Sequence, residues 1–142
     1  MSFQLHPDLQ RAGIPMGRFE LCQVLLINDR AYPWFVLVPE RNEVRMTIDL
    51  SPEDHGCLWV ESRIFGTAIM SIFDGQNLNV AALGNMTPQL HVHHVVRYHD
   101  DAAWPGPIWG SQPISPRSSD DIQDVRKRLA AAQIAGFQAI SE

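Results

Sequence analysis

The sequence predicts an α+β fold: an antiparallel sheet of about five strands, one long mid-chain helix and a C-terminal helix. Three observations carry this reading. A single helical pattern fills residues 51–73, short apolar runs flank it on both sides, and turn formers separate those runs. The connection from Ile27 to Phe35 is also too short for a helical crossover, so the strands it joins must pair antiparallel.

Residues 1–18 mix Pro, Gly and polar residues and read as a lead-in with one helical turn. Phe19 to Ile27 reads as a strand that ends at the turn formers Asn28 and Asp29. Phe35 to Val38 is a short apolar run typical of a buried strand, stopped by Pro39. Val44 to Ile48 alternates apolar and polar residues, as a short strand or an extended connection would. Ser51-Pro52-Glu53-Asp54 is a helix start, with a capping hydroxyl, a proline at the first helical position and acids that complement the helix dipole. Leu58, Ile64, Phe65, Ala68, Ile69, Ile72 and Phe73 then recur at helical spacing, and Gly75 supplies a stop. Leu78 to Leu83 is the next strand, and a loop through Pro88 leads to another over Gln89–Val96. Residues 102–116 are too rich in proline for helix or central strand, and Ser119 opens a last helix reaching about Ile134.

Composition narrows the function. A net charge of -5 argues against broad binding to nucleic-acid phosphates, although a local pocket for a small nucleotide is compatible with it. The two cysteines, Cys22 and Cys57, lack metal or redox spacing, which fits a reduced, cytoplasmic setting. No apolar run approaches the roughly 18–20 residues of a membrane span, and no signal-peptide pattern is read.

The chemistry concentrates in Gln89-Leu90-His91-Val92-His93-His94-Val95-Val96-Arg97. On a strand, Gln89, His91 and His93 share one face, while Leu90, Val92 and His94 point the other way. Hairpin pairing of this segment with Leu78–Leu83 is expected to bring Asn79 and Asn85 near the histidines. His94 is read as structural. Trp34, Trp104 and Trp109 read as core or interface residues. Arg97 suits a phosphate, a surface or a partner equally.

These residues resemble the histidine triad (HIT) family, whose signature is His-x-His-x-His followed by apolar residues and often Arg. His93 aligns with the third histidine and His91 with the middle one, the nucleophile, while Gln89 stands where the first histidine belongs. Asn79 matches a polar position that meets the nucleotide, and Gly84-Asn85 matches the family's Gly-Gln before the motif. Ile27-Asn28-Asp29 through Pro39 resembles the first hairpin, where an Asn or Asp contacts the ribose. The similarity covers roughly residues 19–98 of a single domain, leaving 99–142 as a C-terminal extension.

The resemblance implies a hydrolase or transferase acting at the α-phosphate of a nucleotide conjugate, such as a dinucleoside polyphosphate or nucleoside phosphoramidate. His91 would form a nucleotidyl-histidine, while His93 and Gln89 donate to the phosphoryl oxygens. Asn28, Asp29, Asn79 and Asn85 would hold the nucleotide. No cofactor and no metal is implied. Two alternatives stay open: a non-catalytic nucleotide sensor, because Gln89 cannot act as an acid, and a mononuclear metal site on His91 and His93. A symmetric homodimer is expected, with Tyr98 and the Trp104–Trp109 segment lying across a partner.

Overall fold

The computed structural model describes residues 2–111 and 113–141. The chain runs α1 (Pro7–Ala12), β1 (Gly13–Arg18), β2 (Cys22–Ile27), β3 (Trp34–Pro39), α2 (Pro52–Ile72), β4 (Asn77–Ala81), β5 (Val92–Arg97), α3 (Ser119–Ala131) and β6 (Gln138–Ala139). All six strands join one antiparallel sheet in the order β4-β5-β3-β2-β1-β6.

The continuous apolar runs of β2 and β3 reflect a sheet covered on both faces. Side chains alternate between those faces. Val24, Leu26, Phe35, Leu37, Val92 and Val96 pack under α2 and α3, against Leu58, Phe65, Ile69, Val125 and Leu129. Leu25, Ile27, Trp34, Val36, Val38 and Val95 face the other way, against Leu9 of α1, Tyr32 and Ile108. This second face carries the candidate site.

The start of α2 follows the expected chemistry: Ser51 Oγ accepts the Asp54 N–H at 3.1 Å and Pro52 occupies the first turn. Its apolar stripe also buries two polar residues. Glu61 reaches across to accept the N–H groups of Leu21 and Cys22, both at 2.9 Å, and Ser62 meets His94. At the other end, the left-handed residue is Asp74 (φ 50°), not Gly75. The Gly75 N–H bonds Met70 O and the Asp74 N–H bonds Ser71 O, the paired pattern that closes a helix by turning back on its last carbonyls.

Several expectations are corrected. The sheet has six strands, because residues 13–18, read as lead-in, form β1, and residues 138–139 add β6. Val44–Ile48 contains no strand; a single 3-10 turn occupies Thr47–Asp49. The histidine strand starts at Val92, not Gln89, since residues 89–91 have no ladder partner. The last helix is capped by Ser118 and ends at Ala131. Among the described residues, no helix is long and apolar enough to cross a membrane.

Gly75 is required by closeness. A Cβ there would lie 2.4 Å from Val96 Cγ1 and 2.8 Å from Met70 Sδ, and a β-branched strand residue cannot swing away. Gly75→Ala is therefore expected to cost about 1–3 kcal/mol through overpacking, read as a lower urea midpoint with an unchanged slope.

Candidate functional site

Residues 91–97 alternate faces, and the alternation sorts the three histidines. His94 points under α2, is fully buried, and sits 2.7 Å from Ser62 Oγ through Nε2, with Nδ1 3.0 Å from Val92 O. Burial pushes its pKa down to about 4. This histidine is structural. His91 and His93 lie on the opposite face with ring centroids 5.1 Å apart.

Each ring is held at Nδ1 by a different kind of partner. His91 Nδ1 is 2.7 Å from the carbonyl oxygen of Gln89. His93 Nδ1 accepts the indole N–H of Trp34 at 2.9 Å. Trp109 stands edge-on to His93 at 5.2 Å between centroids. Burial, with smaller contributions from His91 and His94, pushes His93 down to about 3.

Both rings open into a cavity of about 400 Å³. Its walls come from the turn after β2 (Asp29, Tyr32), from Trp34, from the 83–87 loop, and from Ile108, Trp109 and Ile114 of the extension. Among its wall residues, the Tyr32 hydroxyl and the Trp109 indole nitrogen are buried without a hydrogen-bond partner in the protein. A neighbouring hollow of about 500 Å³ shares Trp34, His91 and His93 and is bordered by Asp8 and Arg11 of α1. The histidine pair therefore sits between two openings.

Of the residues expected at the site, His91, His93, Asp29 and Asn85 line the cavity. Asp29 is buried, and its Oδ1 also accepts the Ala31 N–H at 3.0 Å, so it shapes the turn as well. Three others are not part of its wall. Gln89 uses its whole amide on the N-terminal arm: Oε1 accepts the His6 N–H at 2.8 Å, and Nε2 donates to Gln4 O at 3.0 Å. Asn28 Oδ1 accepts the Arg117 N–H at 2.8 Å. Asn79 Oδ1 accepts from Arg97 Nη1 at 2.7 Å, so strand pairing brings it onto the right face but ties it to another residue.

The extension also departs from expectation. The Trp104–Trp109 segment lies across its own sheet, and Tyr98 donates to Phe73 O at 2.5 Å. The cause is Arg97, which is almost wholly buried. It contacts both carboxylate oxygens of Asp101 at 2.7 and 2.9 Å, donates to Gly106 O at 2.9 Å, and lies 5.4 Å from the Trp104 ring. That bond to Arg97 holds the Asp101 carboxyl below its usual range. Tyr32, Trp34, Ile108 and Trp109 are among the wall residues that sequence reasoning left in the core or did not single out. A run of aromatics beside Pro and Gly was their only signal. Among the described residues, no group of three or more His, Cys, Asp or Glu is arranged to hold a metal ion, and His91 and His93 have no third ligand of that kind.

The HIT domain family profile matches residues 13–100. A crystal structure of a histidine triad protein from Marinobacter aquaeolei VT8 superposes with a TM-score of 0.91 at 43% identity, covering 95% of this chain and 100% of that one. Histidine triad proteins from Bradyrhizobium japonicum and Sinorhizobium meliloti 1021 both superpose at 0.90, with 36% and 35% identity. They cover 93% and 92% of this chain, and 98% and 96% of their own. Among curated proteins, none matches.

The two depressed histidines set an acid limit on stability. An unfolded imidazole titrates near 6.5, whereas His94 and His93 stay neutral in the fold down to about 4 and about 3. Below pH 6.5 the unfolded chain thus binds protons that the folded chain refuses, and stability falls as pH drops through that window. Thermal unfolding between pH 7 and pH 5 is expected to show a falling Tm, with a shallower fall in His94→Asn. An equal slope in both proteins would contradict the assignment.

Proposed function

The chain belongs to the histidine triad family, whose members are nucleotide-binding hydrolases and transferases, and on that premise we propose that it transfers a nucleotidyl group through His91. The observation that carries the reading is the 2.7 Å contact between His91 Nδ1 and the Gln89 carbonyl. A carbonyl can only accept, so the ring proton sits on Nδ1 and the lone pair on Nε2 is available.

His91 Nε2 attacks the α-phosphorus of a nucleotide conjugate, the bond to the leaving oxygen breaks, and that oxygen departs with the electron pair. His91 keeps its Nδ1 proton and becomes a cationic nucleotidyl-histidine, which the Gln89 carbonyl stabilises. Water, or another acceptor, then attacks phosphorus, the pair returns to Nε2, and the acceptor's proton passes to solvent. His93 faces the oxygens on which charge develops. Asp29 and Asn85 supply polar contacts for the nucleoside, and Ile108, Ile114 and the aromatic rings cover its apolar surface.

Gln89 has no part in protonating the leaving group on this reading; it clamps the N-terminal arm. Substrates that leave as stable oxyanions, such as dinucleoside polyphosphates, are therefore favoured over phosphoramidates, which need a proton. The handicap of the latter is about 10²-fold, the usual contribution of a general acid. A non-catalytic nucleotide-binding role is the second reading, and the engaged amide of Gln89 is the observation that favours it.

A homodimer is part of the proposal. β4 is an outer strand with Val80 exposed, and Trp59 and Val60 are exposed on α2. Light scattering at micromolar concentration is expected to give about twice the chain mass of 16.0 kDa; the chain mass alone would refute it.

Mass spectrometry after mixing with dinucleoside polyphosphates and nucleoside phosphoramidates tests the chemistry. A nucleotidyl adduct on His91, lost together with turnover in a folded His91→Asn variant, is the expected result. Intact bound nucleotide without an adduct would support the second reading.

A further inference from the structure

We infer that Trp34 is a positioning residue for the reaction: its indole N–H fixes His93 as the neutral tautomer whose proton sits on Nε2, opposite to the tautomer of His91. The catalytic meaning of this inference rests on the nucleotidyl-transfer reading. The tautomer itself rests on geometry alone.

An indole nitrogen can donate but never accept. At 2.9 Å from Trp34 Nε1, His93 Nδ1 must therefore be the acceptor. A neutral imidazole has one N–H, so the proton of His93 lies on Nε2. Forming the imidazolium would set two N–H groups against each other across the same 2.9 Å.

Trp34 is not free to move aside. Its ring is packed with Tyr32, Val36, Val95 and Ile108 in the core of the second sheet face. The register of β3 on β5 sets Val36 opposite His93 and Trp34 opposite Val95, so the indole reaches His93 along the diagonal of one ladder. His91, two residues back, meets a carbonyl instead and takes the other tautomer. One ring thus offers a lone pair and its neighbour offers an N–H, with no proton exchange needed to prepare either.

The remaining groups around His93 do not reverse this. His91 precedes it on its own segment, Asp29 and Tyr32 come from the turn after β2, and Asp8 and Arg11 from α1 border the shared hollow. Asp8 is engaged by Arg11, and Asp29 by the Ala31 N–H. Trp109, the other contact of His93, is uncharged. Burial disfavours the charged ring in the same direction.

The test is ¹⁵N NMR of histidine-labelled protein, with two-bond correlations that separate the tautomers. In the unaltered protein, His93 is expected as the Nε2–H form, without titration from about pH 8 to about pH 5. Trp34→Phe is expected to mix the tautomers, move the titration of His93 back toward 6.5 and add an acidic limb to the kcat profile. Its kcat should fall about tenfold with KM little changed, less than outright loss of a donor because the imidazole remains. The benzothiophene analogue of tryptophan at position 34 keeps the shape and lacks the N–H, so it should reproduce these changes even if Trp34→Phe folds poorly. An Nδ1–H tautomer in the unaltered protein, or an unchanged His93 spectrum in both substituted proteins, would overturn the inference. Failure to form an adduct on His91 would instead overturn the functional reading and leave the NMR result standing.

Discussion

Much of the second sheet face depends on a single buried cation. Arg97 ends the histidine strand with its guanidinium out of solvent, and a lone charge there would not be tolerated. Asp101 supplies the counter-charge, Asn79 and Gly106 satisfy further N–H groups, and the rings of Tyr32 and Trp104 cover its face. Breaking such a pair typically costs about 3–5 kcal/mol, because the surviving partner stays buried and unpaired. In meeting these needs, the chain after β5 is drawn back over the sheet. Ile108 and Trp109 follow a few residues later and become the wall beside His93.

That dependence explains which parts of the protein were legible in its sequence. The long helix was, because its period and its Ser-Pro-acid start are local signals. The histidine face was, because alternation along residues 91–97 needs no knowledge of partners. β1 was not: Gly13, Pro15 and Gly17 read as turn formers, yet the strand contains a bulge between Pro15 and Gly17. Gly17 also has no room for a Cβ, which would stand 2.4 Å from Gln138 O of β6. The glycine reads as a breaker only until the close approach of a strand more than a hundred residues away is known.

The polar residues divide in the same way. Asp29 could be placed at the cavity because its position follows from a turn that closes within a few residues. Gln89, Asn28 and Asn79 were expected at the ligand, and their amides are bound to Gln4 and His6, to Arg117, and to Arg97. An amide on the right strand reveals nothing of the distant donor that will claim it. The tautomers of His91 and His93 were hidden for the same reason, since each is fixed by one atom of a neighbour, a carbonyl in one case and an indole N–H in the other.

The walls of the cavity also have a consequence for the order of assembly. They are drawn from residues 29–34, 83–93 and 108–110 with Ile114, and the adjoining hollow adds residues of 8–12 and Ile27. The site closes only after the segment beyond β5 has folded back, and Val125, Leu129 and β6 complete the core and the sheet later still. During synthesis from the N-terminus, the histidines and their strand emerge after the walls at 29–34 and before Ile108, Trp109 and Ile114. The histidine strand and its sheet neighbours therefore emerge before Ile108 and Trp109, and a nascent chain halted before residue 108 would carry both imidazoles without that wall of the chamber.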